Sequence, residues 1–296
     1  MAIPQKYMGK DLLPAYFAHE LNGYYDENEA RTIGRWVMSD ITGKSLIEMS
    51  KAGPSKWSAG ESERISEILN RLRHGEPIQY ILGHTEFFGL NFHTGKGILI
   101  PRNETEELVE WVLSDSENQL HGCRILDIGC GSGAIAVSLA RNLPEATLYA
   151  VDVSSAALEH TVVNSENHRV ELVCGFMDIL NPSGYFAENT YDIIVSNPPY
   201  VLESQKPFLE RRVREMEPPL ALFVPDYDPM VFFRAISNFA SRSLNSNGRV
   251  YVEINEQLAE ETLKEFERDF LKTELRKDIH GKYRLIKATN GKDQST

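Results

Sequence analysis

A strand that runs straight into a glycine turn constrains this chain more than any other stretch. Arg124-Ile125-Leu126-Asp127-Ile128 reads as a buried β-strand, Gly129-Cys130-Gly131-Ser132-Gly133 as the turn, and Ala134-Ile135-Ala136 as the start of a helix carrying Ile135, Val137 and Leu139. Glycines there let backbone N–H groups come close to a ligand, and the helix N-terminus that follows favours a carboxylate or phosphate. A second strand, Thr147-Leu148-Tyr149-Ala150-Val151-Asp152, ends on an acid 21 positions after Gly131. That is the spacing at which a carboxylate grips ribose hydroxyls. The pattern predicts a nucleoside cofactor without naming it, because Gly131-Ser132-Gly133-Ala134-Ile135-Ala136 also fits the dinucleotide fingerprint. Asp152 has a second, compatible reading as the N-cap of a helix over 154–159.

Around this unit, strand-like runs at 124–129, 147–153, 170–175, 191–197 and 248–254 alternate with helical stretches, and two more follow at 272–278 and 283–288. Alternation of this kind predicts an α/β fold with helices on both faces of a mostly parallel sheet. The last two strands lack an intervening helix and predict an antiparallel edge. Ligands of such sheets bind at the carboxyl ends of the central strands. At that end of the 191–197 strand stands Asn197-Pro198-Pro199-Tyr200. Both prolines fix φ, and the residue before a proline is held extended, so Asn197 and the Pro198 carbonyl sit on stiff backbone. Two fixed oxygens there suit the two N–H bonds of a planar –NH2 group, with Tyr200 as a flat wall. The same four residues also read as an ordinary turn after a strand.

The first part of the chain reads differently. Leu12, Leu13, Tyr16 and Phe17 form one apolar stripe, and Ile33, Trp36 and Val37 form another behind a capping pair, Asp26 and Glu29. Ser58 and Glu61 precede Ile65, Ile68, Leu69 and Leu72, and Gly75 and Pro77 close that helix. The expected organisation is a helical bundle over 1–84, a β-hairpin linker over 85–100 and a catalytic domain over 101–296. A formal charge of −12 disfavours a surface built to neutralise many phosphates, although Arg211, Arg212 and Arg214 form a local basic candidate. No apolar leader or membrane-length run is present, which predicts a cytoplasmic protein without membrane contact. Cys123, Cys130 and Cys174 lack metal or disulfide spacing, so no metal is expected. The tail from Gly291 is polar and reads as disordered.

Beyond the Gly loop, the acid and the Asn-Pro-Pro-Tyr run, three further segments carry a resemblance: Pro77-Ile78-Gln79-Tyr80-Ile81-Leu82-Gly83, Phe87-Phe88-Gly89-Leu90-Asn91-Phe92 and Ile98-Leu99-Ile100-Pro101-Arg102-Asn103-Glu104-Thr105-Glu106. With Glu217-Pro218-Pro219-Leu220-Ala221-Leu222, they make the chain, over residues 60 to 290, similar to the peptide-chain release factor glutamine methyltransferases. The resemblance implies a class I S-adenosylmethionine-dependent methyltransferase fold, Rossmann-like with seven strands, and a helical N-terminal domain that helps hold the protein substrate. It implies methyl transfer to the glutamine of a Gly-Gly-Gln motif, with release factors as partners and S-adenosylhomocysteine as product. It assigns Asn197, Pro198, Pro199 and Tyr200 to catalysis. Gly129, Cys130, Gly131, Ser132 and Gly133 fall to the methionine moiety, Asp152 to the ribose, and Asp178 with Ile179 to the adenine, Asn197 also bordering the cofactor. Asp178 keeps an alternative as a turn cap before Pro182. The competing activity is methylation of exocyclic amines in nucleic acid, which fits the same clamp but calls for a positive groove. A dehydrogenase is a third reading, weakened because Tyr283 and Lys287 fall in a strand. The chain departs from the family at Asn103, usually proline, at Asn255, usually glycine, and over 223–229, which is usually richer in glycine.

Overall fold

The structure, a computed structural model, describes residues 3–51, 55–115 and 122–290. The tail expected to be disordered lies outside the described residues. The chain separates into two compact units, one of the described residues up to Gly83 together with 211–216, the other of 84–210 and 217–290.

The first unit is helical, with helices Leu13–Glu20, Glu27–Thr42, Leu46–Lys51, Ala59–Arg73 and Ile78–Leu82. Leu13, Phe17, Ile33, Val37, Ile65, Leu69 and Leu72 meet in one core. The Ser58 and Glu61 capping box forms as its spacing predicts. Asp26 caps its helix by accepting from Asn28 N and Glu29 N, but the reciprocal contact is absent, because Glu29 instead pairs with Arg212 at 2.6 Å. Arg211 and Arg214 both pair with Glu215, so the charge of the basic candidate is partly offset. Leu12 and Trp36 are exposed and leave their expected stripes. Periodicity marks the centre of a buried face more sharply than its width.

Gly34 shows how closely two helices of this unit approach. A Cβ there would lie 2.8 Å from Pro14 Cα and 3.1 Å from Phe17 Cβ. Backbone on one side and a core side chain on the other leave no room to yield. Gly34→Ala is therefore expected to destabilise this unit by about 1–3 kcal/mol, an overpacking cost that outweighs the gain in helix propensity. Denaturant titration read by helical circular dichroism measures it, and unchanged or raised stability would contradict the packing.

The second unit opens with a hairpin, β1 (His84–Phe87) and β2 (Leu90–His93). Phe88 (φ 50°) and Gly89 (φ 69°) both take left-handed backbone, which a two-residue turn of this hand requires. The hairpin ends at His93; residues 94–99 belong to no strand, because Gly95 and Gly97 interrupt the alternation. Then come β3 (Arg124–Ile128), β4 (Thr147–Asp152), β5 (Leu172–Phe176), β6 (Tyr191–Ser196), the short pair β7 (Val201–Leu202) and β8 (Phe223–Val224), β9 (Leu244–Glu253), β10 (Lys272–Lys277) and β11 (Tyr283–Thr289).

Seven of these form one sheet in the order β10-β11-β9-β6-β3-β4-β5, parallel from β9 through β5 and antiparallel at β10 and β11. Successive side chains face opposite sides, so each central strand feeds two cores. Leu126, Ile128, Ile194, Val250 and Val252 pack with Phe233, Ile236 and Phe239 on one side. Ile125, Ile193, Val195 and Tyr251 pack with Leu108, Trp111, Val112 and Leu139 on the other. Each large apolar side chain buried this way contributes roughly 1.5–3 kcal/mol of transfer energy. Strand order reverses direction at β3: β4 and β5 lie to one side, β6 and β9 to the other. Loops leaving β3 and β6 diverge there and open a crevice at their carboxyl ends.

Candidate active site

The crevice is lined by residues of the second unit alone, among them the Gly129–Ser132 loop, Asp152, Met177, Ile179 and Asn197 to Pro199. The two sequence motifs thus face one cavity. Ser196 Oγ donates to Ile128 O at 2.7 Å, tying the end of β6 to the end of β3.

Gly129, Gly131 and Gly133 all have positive φ, at 73°, 58° and 78°. The loop is held by its own backbone: Gly129 N and Cys130 N both donate to Val151 O, Gly131 N to Asp152 Oδ2 and Gly133 N to Cys130 O. The glycine N–H groups therefore shape the turn, while Ser132, Ala134 and Ile135 carry it along the cavity wall. The helix Ser155–His168 supports it from behind. Thr161 Oγ1 donates to Gly131 O at 3.1 Å, and Asn164 Nδ2 donates to Ser132 O at 2.8 Å and to His93 O at 3.0 Å. Both side chains are fully buried. Sequence reasoning missed them; their one signal is two polar residues at i and i+3, on the helix face turned to the loop.

Asp152 borders the cavity with Oδ2 accepting from Gly131 N and Oδ1 from Ser154 N at 2.9 Å. Burial raises its pKa, and the backbone N–H groups of Gly131, Ser154 and Val153 hold the rise back. The N-cap of the following helix is Ser154, whose hydroxyl accepts from Ala157 N. Asp178 is not part of the cavity wall, whereas its neighbours Met177 and Ile179 are. Its Oδ1 accepts from Leu180 N at 2.9 Å, the turn-cap alternative. Asp127, fully buried in β3, accepts from Ala136 N at 3.1 Å through Oδ2, and its Oδ1 has no partner among the described residues. Burial pushes this carboxyl up to about 7, the Ala136 N–H opposing and the charge of Asp152 adding.

Asn197 Nδ2 donates to Thr105 Oγ1 at 3.1 Å, Thr105 Oγ1 to Glu253 Oε2 at 2.6 Å, and Tyr200 OH to Glu253 Oε1 at 2.7 Å. Tyr200 does not line the cavity. Its ring packs on the core of one sheet face and its hydroxyl turns to Glu253, so it braces the loop. Burial and the Glu253 charge push its pKa well up, which keeps it a donor. Asn255 Nδ2 reaches Tyr200 O at 3.0 Å, a tether that glycine cannot make, and its φ of −74° needs no glycine. Asn103 is the first residue of the helix Asn103–Ser114, where proline and asparagine are both accommodated. Arg102, on the wall, pairs at 2.6 Å with the buried Glu217, which also accepts from Ile100 N. The described residues contain no cluster able to hold a metal, and the three cysteines are free.

Comparison with known proteins agrees with this arrangement. The family profiles described as Methyltransferase small domain and PrmC N-terminal domain match residues 105–214 and 14–83. A release factor glutamine methyltransferase of Flavobacterium psychrophilum is 40% identical over 92% of this chain and 95% of its own. One of Bacteroides thetaiotaomicron is 37% identical over 93% and 98%. In fold, the chain is similar to a 16S rRNA N2 G1207 methyltransferase of T. Thermophilus, with a TM-score of 0.52 and 19% identity over 70% of this chain and 49% of that one. With its seven-stranded, mostly parallel sheet, its helical N-terminal unit and relatives that match it nearly end to end, the chain belongs to the release factor glutamine methyltransferase family.

Proposed function

We propose that this protein transfers a methyl group from S-adenosylmethionine to the side-chain amide nitrogen of the glutamine in the Gly-Gly-Gln motif of class-I release factors. The observation that carries the reading is the meeting of Asn197 and Pro198 with the Gly loop and Asp152 in one cavity. The residues fit the cofactor. A Cβ on Gly129 or Gly131 would meet nothing within 4 Å, so the turn is open beside the wall, and Asp152 keeps lone pairs for ribose hydroxyls. Met177 and Ile179 offer an apolar seat for a base. When bound, the cofactor supplies a sulfonium methyl, a strong electrophile. Its expected neighbours are Gly129, Cys130, Gly131, Ser132 and Gly133 for the methionine part, Asp152 for the ribose and Ile179 for the adenine.

An amide nitrogen is a weak nucleophile, because its lone pair is delocalised into the carbonyl. Asn197 Oδ1 and the Pro198 carbonyl accept the two amide hydrogens, orient the lone pair and stabilise positive charge as it develops on nitrogen. Orientation of this kind is worth up to about 7–11 kcal/mol in well-aligned systems. Among the lining side chains only Arg102, Cys130 and Asp152 ionise, so no base stands at Asn197 and the proton leaves to water. Incubating the protein with labelled cofactor and a class-I release factor tests the reading: one methyl on the Gly-Gly-Gln glutamine is expected by peptide mass spectrometry. Label entering total RNA instead would overturn it.

The ribose assignment has its own test. Asp152→Ala is expected to weaken cofactor binding by about 1.5–3 kcal/mol, the worth of a hydrogen bond to a charged group, with KM for the release factor little changed. Calorimetry decides it; unaltered affinity would remove Asp152 from the site.

A further inference from the structure

We infer that Thr105 and Glu253 are positioning residues that fix which end of the Asn197 amide faces the cavity, an inference that rests on the function proposed above. An asparagine amide has a donor end and an acceptor end of nearly equal size, and only the acceptor end serves a substrate –NH2 group. The choice between them is made behind the cavity wall.

Thr105 Oγ1 lies between Asn197 Nδ2, at 3.1 Å, and Glu253 Oε2, at 2.6 Å. A threonine hydroxyl has one proton to give. Burial raises the Glu253 pKa, while the hydrogen bonds from Thr105 and Tyr200 and the charge of Arg284 hold the rise back and favour the ionised form. That carboxylate only accepts, so it takes the threonine proton and leaves the hydroxyl facing Asn197 as an acceptor. Asn197 then turns its –NH2 towards Thr105, and Oδ1 is the end presented to the cavity. Tyr200 completes the arrangement. Its single proton goes to Glu253 Oε1 at 2.7 Å, so each carboxylate oxygen already has a donor. Without the carboxylate, Thr105 is free to donate to Asn197, and the amide then serves equally well turned over, with its –NH2 towards the substrate.

Burial makes the constraint firm. Thr105 is 4% and Glu253 1% exposed, so neither exchanges its partner for bulk water. A charged group held that deep is costly unless its oxygens are satisfied, and packing alone is served as well by apolar residues of similar volume. The three supports come from separate elements: Thr105 from the first turn of the helix Asn103–Ser114, Glu253 from the end of β9 and Tyr200 from the loop after β6. They converge on the one amide whose polarity the reaction needs.

The test is a double-mutant cycle on the full-length protein with a release factor as substrate, reading kcat, cofactor affinity and melting temperature. Thr105→Val keeps the shape and removes the hydroxyl; kcat is expected to fall roughly ten- to hundredfold while cofactor affinity holds. Thr105→Ser is expected to restore most of the rate, and in an Asn197→Ala background Thr105→Val should have little further effect. If valine costs the fold, alanine at 105 makes the same comparison. A wild-type rate for Thr105→Val, a serine variant as slow as valine, or effects that simply multiply with Asn197→Ala would each overturn the inference. If Asn197→Ala itself turns over normally, the clamp reading beneath it fails instead.

Discussion

Asn197→Ala will slow methyl transfer by about 10²–10³-fold, about 2.7–4 kcal/mol of barrier, and leave cofactor affinity nearly untouched. The size follows from what the side chain does. It removes one of two acceptors aimed at charge that forms only as the nitrogen attacks, so the loss belongs to the transition state and falls on kcat more than on KM. The selectivity follows from place. Asn197 is held by Thr105 on stiff backbone after β6, whereas the cofactor loop is held separately by Val151 O, Asp152, Thr161 and Asn164. Single-turnover kinetics with saturating cofactor, beside calorimetry, separates the two quantities. A variant that turns over at the wild-type rate would falsify the clamp.

The second large effect is on stability. Without cofactor, Asp127 is expected to cost the protein stability as pH rises from about 4 to about 7, in the same direction as the raised Asp152 and Glu253, and Asp127→Asn should flatten its share of the profile. Burial pushes Asp127 up to about 7 from an ordinary 3.8, so between those values the folded state holds more protons than the unfolded one. Its contribution is fully present below the lower value and is lost as pH climbs through the upper. A rise of that size corresponds to about 4 kcal/mol. The cause is burial of a carboxyl with one backbone donor on Oδ2 and no partner among the described residues on Oδ1. Denaturant unfolding of both proteins across this range measures the difference. Parallel profiles would mean that Asp127 is ionised and satisfied in the fold.

Much of this architecture was legible before any coordinates. The central strands are read easily because parallel strands buried on both faces are continuous apolar runs. Gly loop, Asp152 and Asn197 were placed at the same sheet end by strand order alone, and the cavity brings them together. What stayed illegible depends on partners remote in the chain. Thr105 and Glu253 are 148 positions apart, and Glu217 stands 117 from Ile100, so no local pattern shows these pairings. Spacing does not show which way the Tyr200 hydroxyl turns after two prolines; the buried Glu253 carboxylate takes it. Trp36 shares that cause and sits just off the packed face.

Glu253 also joins two distant parts of the chain. It ends β9, the strand that inserts between β6 and β11, and it arrives 148 residues after the threonine it holds. The direction of the Asn197 amide is therefore set only where the sheet has closed through β9, so a fault in the insertion of that strand reaches the far end of β6.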